Sequence, residues 1–160
     1  GSGSTDFGED YVVEGIGIVL PGFIMNVWEI YTMLYDRLNV RFVSMQALDP
    51  DHDTIALLQQ VSMTITNRSI HFLMPHMLQN TQFIAKVVGK VLTFRIQYHV
   101  RFDEHNQIVY VNIEHQMAHA WLNILRQPTL VNLVLKHMQR VDGVFIQRNY
   151  QQLINDREFN

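Results

Sequence analysis

Three polar side chains recur at every second position in IVYVNIEHQ: Tyr110, Asn112 and Glu114. A carboxylate beside a phenol is the pairing an isomerase-type pocket needs. The base takes a proton from carbon and the phenol holds the developing enolate oxygen. In that reading Glu114 is the base and Tyr110 and Asn112 line the pocket. A period of two puts all three on one face of a strand, which an ordinary polar strand face satisfies equally well, and no catalytic role is assigned to any of them.

Other motifs fall short of a site. His115 and His119 in EHQMAH have the i, i+4 spacing of a metal pair on a helix. The zinc-protease signature places Glu directly after the first His as general base, and Gln116 stands there instead. A strand-to-helix junction at this point also spoils the shared face. GKVLT at 89–93 lacks the upstream Gly of a phosphate loop and has Val91 where Ser or Thr is needed, while GIGIVLPG at 15–22 lacks GxGxxG spacing. Asn67-Arg68-Ser69 matches a glycosylation sequon that matters only in a secreted chain. The chain has no cysteine, so it has no disulfide framework and no thiolate ligand or nucleophile. No metal and no cofactor is expected.

A second cluster is basic. No acidic residue occurs from Thr54 to Phe102, while Arg68, Lys86, Lys90, Arg95 and Arg101 all lie there. LTFRIQYHVRF alternates without a fault: Leu92, Phe94, Ile96, Tyr98, Val100 and Phe102 on one side, Thr93, Arg95, Gln97, His99 and Arg101 on the other. That is a strand with one buried and one polar face. Lys86 and Lys90 share a face if QFIAKVVGKV is a strand as well. Lys86, Lys90, Arg95, Gln97, His99 and Arg101 are therefore the candidate binding residues, for an acidic or protein partner. RNA ranks lower, because single-strand binding favours aromatics among the basic groups, and Phe94 and Tyr98 fall on the apolar side.

These residues need a frame, and 160 residues with 48% hydrophobic and 17% charged content make one folded domain. So little charge leaves less polar surface than usual, which favours an oligomer or a covered face. A net charge of −3 does not point to nucleic acid or membrane. Gly1-Ser2-Gly3-Ser4, with no initiator Met, reads as a tag remnant, and the apolar run at 15–25 is too short to span a bilayer.

The pattern predicts a loose lead-in over 5–14 and a helix over 21–38 with Pro21 in its first turn. A strand over 40–48 follows. DPDHD is a turn in which Asp51 or Asp53 caps a helix carrying Ile55, Leu58, Val61 and Ile65 inward. IHFLM opens a strand region, QFIAKVVGKV continues it with Gly89 as a bulge, and 92–102 is the alternating strand. DEHNQ turns the chain with Asn106 left-handed, and 108–116 is a strand. Helices follow at 117–127, from Pro128, and over VFIQRNYQQLI. Leu130, Val131, Leu133, Val134, Leu135 and Met138 either complete the core or form a partner surface.

This order of helix, strand, helix and long antiparallel strands, with Phe102-Asp103-Glu104-His105-Asn106-Gln107-Ile108 at the late hairpin, resembles the nuclear transport factor 2-like superfamily. In that group the hairpin often reads Phe-Asp-x-x-Gly-x-Ile, and Asn106 reaches the same positive φ as the Gly. The resemblance spans about 21–116. It implies an α+β fold with a curved antiparallel sheet packed against N-terminal helices in a cone, a pocket at the mouth, and a dimer formed through sheet faces. Residues 1–14 are then tag and lead-in, 15–116 the core, and 117–160 a C-terminal helical extension packed on the same domain.

The first functional expectation is a non-enzymatic dimerisation and protein-binding module within a larger intracellular protein, cytoplasmic or nuclear, with the polar face of 93–101 open to a homodimer mate or a protein or peptide partner. The alternative is a small pocket enzyme of the isomerase, cyclase or dehydratase kind. An RNA-associated module comes third.

Overall fold

The computed structural model describes the backbone of residues 9–14, 19–49 and 53–159, and side chains over 27–49 and 53–156. The elements run β1 (Glu9–Glu14), α1 (Val19–Leu34), β2 (Asp36–Ala47), β3 (Thr54–Thr64), α2 (Asn67–Leu73), a 3-10 turn at Pro75–Met77, α3 (Thr81–Val87), β4 (Val91–Phe102), β5 (Ile108–Gln116), α4 (Ala118–Leu125), α5 (Pro128–Lys136) and α6 (Gly143–Phe159). The fold is α+β, as the sequence leads one to expect: one antiparallel sheet in the order β1-β5-β4-β3-β2 against helices, with helices added at the C-terminus.

β4 sits at the centre of that sheet. Leu92, Phe94, Ile96 and Tyr98 are buried, whereas Thr93, Arg95 and Arg101 are exposed. A strand between two neighbours satisfies its backbone on both edges, so its side chains alone decide which face turns inward. The apolar row turns toward α1 and α4. There Ile30, Leu34, Trp121 and Leu125 are fully enclosed. Beyond Phe102, Asp103 accepts hydrogen bonds from the backbone N–H of Gln107 at 2.9 Å and of His105 at 2.8 Å. Those bonds, the one from Gln107 first, hold its carboxyl below the usual range. Asn106 takes φ 60°, as its place in the turn leads one to expect.

Four expectations about local structure fail, each for an identifiable reason. Residues 54–64 form strand β3, paired along its length with β4, and not a helix. Leu58 faces outward opposite Gln97 and Gln59 inward opposite Ile96, which breaks the alternation and imitates helical spacing through Ile55, Leu58 and Val61. IHFLM belongs to helix α2. Thr66 caps it by accepting from Ser69 N–H, and Ser69 accepts in return from Thr66 N–H. The first six residues of QFIAKVVGKV lie in helix α3, which is capped by the Asn80 side chain and buries Phe83 and Val87 one turn apart. Gly89 makes no bulge. It takes φ 87° in the turn into β4 and donates its N–H to Ile65 O at 2.9 Å.

Two boundaries move as well. α1 ends at Leu34 rather than near 38, and Arg37, at φ 54°, swings the chain into β2. Part of the lead-in is a strand: β1 pairs with β5 from Glu9↔His115 to Glu14↔Tyr110. Residues 1–8, 15–18 and 50–52 lie outside the described residues, and with them the tag remnant, most of the GIGI run and Asp51. Asp53 precedes β3 and caps no helix. The C-terminal helices complete the core, since Trp121, Leu125, Val131, Val134 and Leu153 belong to the same buried cluster as Ile30 and Phe94.

The two faces of β4 predict unequal costs. Ile96→Ala should destabilise by about 2–5 kcal/mol through lost burial and a cavity, while Arg95→Ala should stay within about 0.5 kcal/mol. Urea unfolding of both variants measures the contrast. Equal losses would mean that the faces are assigned the wrong way round.

Candidate interaction surface

The outer row of β4 meets matching rows on its neighbours. Across β5, Arg95 stands opposite Gln116, Gln97 opposite Glu114, His99 opposite Asn112 and Arg101 opposite Tyr110. On the other side Gln60, Leu58, Ala56 and Thr54 of β3 face Arg95, Gln97, His99 and Arg101. β2 then sets Arg41 against Gln60 and Ser44 against Leu58. All these side chains are exposed or half-buried, whereas the opposite face holds the core.

The face is stitched by its own contacts. Arg41 Nη2 donates to Gln60 Oε1 at 3.1 Å, Ser62 and Thr93 hydroxyls meet at 3.0 Å, and Gln116 Nε2 donates to Gln97 Oε1 at 3.4 Å. The Arg101 guanidinium lies 5.3 Å from the centroid of the Tyr110 ring. A guanidinium over a phenol at an exposed site contributes on the order of 0.5–1 kcal/mol and fixes where the cation points.

Register sorts the candidate residues. Arg95, Gln97, His99 and Arg101 come together as expected. Tyr110, Asn112 and Glu114 join them on the outer face and not on the core side: the same period of two that groups them opposes them to the polar row of β4. Lys86 and Lys90 share no strand face. Lys86 is on α3, where its ammonium donates to Leu125 O at 3.1 Å and caps the end of α4, and Lys90 is in the turn before β4.

The core-facing side carries polar groups that sequence reasoning missed. His115 is 2% exposed, its ring centroid 6.3 Å from that of Tyr31 and 6.4 Å from that of Phe94. Its parity with Val111 and Ile113 already marked it as inward. The two histidines separate, one enclosed in the sheet and the other exposed on α4. No group of three or more metal-ligating side chains occurs among the described residues. Tyr98 lies nearby with its phenol hydrogen-bonded to Trp28, and burial raises its pKa to about 12.

Two further clusters lie among the helices. An open cleft of about 270 Å³ is lined by His71, Phe72, Phe145, Arg148, Asn149 and Gln152, among others. His76 and His137 pack edge to face, with centroids 5.4 Å apart, and His76 Nε2 lies 3.0 Å from Leu133 O. A carbonyl only accepts, so Nε2 carries the proton. Burial, with His137 as a lesser cause, holds the His76 pKa below its ordinary value. No helix among the described residues is long and apolar enough to cross a membrane.

Two titrations follow. For Tyr98 the neutral form is favoured in the fold, so its contribution to stability is present below pH 10 and lost as pH rises toward 12. Ultraviolet titration of Tyr98→Phe should lack one late-ionising phenol that the unaltered protein shows. For His76 the neutral form is again favoured, so its contribution is present above pH 6.5 and lost as pH falls below that value. His137→Ala should move the His76 imidazole midpoint upward in an NMR titration.

No protein-family model matches the chain. No curated protein matches it. Among solved structures the chain is similar to the crystal structure of AclR, a putative hydroxylase from Streptomyces galilaeus, at 14% identity and a TM-score of 0.36, over 82% of this chain and 69% of that one. A likeness of that degree carries no argument about function.

Proposed function

We propose that the domain is a non-enzymatic module that dimerises and binds protein partners through its sheet. The observation that carries the partner-binding half of this reading is the outer face: four strands wide from β2 to β5, exposed or half-buried throughout, with donors and acceptors in adjoining rows. Arg95 and Arg101 supply positive charge on the central strand and Glu114 a carboxylate one strand away, so a partner with acidic groups finds cations flanked by amides. The rows are also long enough to offer an extended docking surface. The polar residues that suggested a pocket enzyme, Tyr110, Asn112 and Glu114, stand in these rows.

Sedimentation velocity across the micromolar range tests self-association directly. The expected result is a dimer; a strict monomer throughout would overturn the dimerisation half of the reading. For the outer face, Arg95→Glu with Arg101→Glu should leave the thermal midpoint within a few degrees, because neither residue is in the core. The same exchange should cost any partner that docks there tenfold or more in affinity.

A further inference from the structure

β2 carries features that the outer face does not explain. It is a terminal strand of the sheet, and among the described residues it pairs with β3 alone. At 12 residues it is about 40 Å long. Its free edge presents alternate N–H and C=O groups with no sheet neighbour, a ready template for another strand. The side chains on its inner row are exposed too: Val40 40%, Phe42 61% and Met45 63%, with Leu48 at 47% just beyond. Contiguous exposed apolar side chains of this size mark a contact surface.

We infer that β2 pairs antiparallel with β2 of a second copy of this chain, joining two five-stranded sheets into one. The inference rests on the reading that the domain dimerises, and it says where. A two-fold contact must be self-complementary, because each residue meets its own counterpart's neighbours. The irregularity between Phe42 and Ser44 shifts the register, so that Val40 and Phe42 precede it and Met45 and Ala47 follow it on the inner row. Asn39 and Arg41 before it share the outer row with Ser44 and Gln46.

Residues directly opposed across an antiparallel pair lie on the same face. An axis between Val43 and Ser44 meets that condition at every position from 40 to 42. Phe42 then stands against Met45 of the second copy, Val40 against Ala47 and Arg41 against Gln46. Each opposition occurs twice, the two exposed apolar rows merge, and no like charges stand face to face.

Charge agrees with the direction. The first half of β2 carries Arg37 and Arg41, while its far end leads to Asp49 and Asp53. Asp36, the acid at the basic end, already faces Arg68 at 3.6 Å. Antiparallel pairing lays the basic half of one strand beside the acidic end of the other, whereas a parallel arrangement would align like with like. β2 is also long for an exposed edge and contains no Pro to block pairing, and one of its two register irregularities falls beside the axis.

The absence of cysteine allows a direct test. A Phe42→Cys, Met45→Cys double variant should form an intermolecular disulfide on mild oxidation, because opposed Cα atoms in such a pair lie about 4.5–5.5 Å apart. An Arg95→Cys variant should not. In sedimentation, Phe42→Lys with Met45→Lys should weaken the dimer at least a hundredfold with an unchanged circular dichroism spectrum, while Arg95→Glu with Arg101→Glu leaves it intact. Should the unaltered chain be a monomer, the dimerisation reading itself fails. A dimer that survives the lysine pair, gives no cross-link and dissociates with the glutamate pair keeps that reading and overturns the β2 contact.

Discussion

The sheet depends on one constraint, that β4 must satisfy two faces with one sequence. It is paired on both edges, so no backbone freedom remains to correct a side chain that points the wrong way. Leu92, Phe94, Ile96 and Tyr98 bury one face, and Thr93, Arg95, Gln97 and His99 wet the other. A slip of one residue would drive two arginines into the core beneath Trp121 and strip four large side chains of their cover. The registers of β3 and β5 follow from it because each pairs with β4 over nearly its whole length.

What was legible in the sequence tracks how cleanly each segment keeps one period. β4, β5 and the helices after 117 do, and their type is read correctly. β3 fails because Leu58 and Gln59 exchange the faces that polarity assigns them, so neighbours rather than the segment itself decide the conformation. α2 and α3 are seven residues each, too short for periodicity to show, and both begin at side-chain caps: Thr66 with Ser69, and Asn80. Those caps were the available signal, since a Thr or Asn accepting the first free N–H groups starts a helix whatever its apolar pattern. The outer face was half legible. Alternation within β4 and within β5 could be seen, but only the pairing of Gln97 with Glu114 and Arg101 with Tyr110 shows that the two polar rows form one surface.

The core-facing side treats its polar groups differently. Tyr98 reaches Trp28, and burial keeps its phenol neutral far into the alkaline range. His115 is flanked by two aromatic rings. Such groups add direction to an otherwise apolar interior, because each has to find a partner of suitable geometry before the core can close.

The placement of apolar surface links the fold to association. Val131, Val134 and Met138 are buried, so the Leu- and Val-rich helices after 117 are largely spent on the core, leaving Leu133, Val144 and Tyr150 as separate exposed positions. Single exposed apolar side chains of that kind are ordinary on a folded surface. β2 and its hairpin are different, because Val40, Phe42, Met45 and Leu48 account for four of the eight large apolar residues exposed among the described side chains. They also lie beside a row of backbone groups that has no strand partner among the described residues. Either feature alone has ordinary explanations; together on one strand they expose hydrogen-bonding groups and apolar area that a single added strand would cover at once. Packing on the outer face would cover neither, because it meets the opposite side of the sheet. Edge pairing therefore leaves the polar face of β4 and β5 open and sets two copies of it side by side, so that self-association and partner binding use different parts of the same sheet.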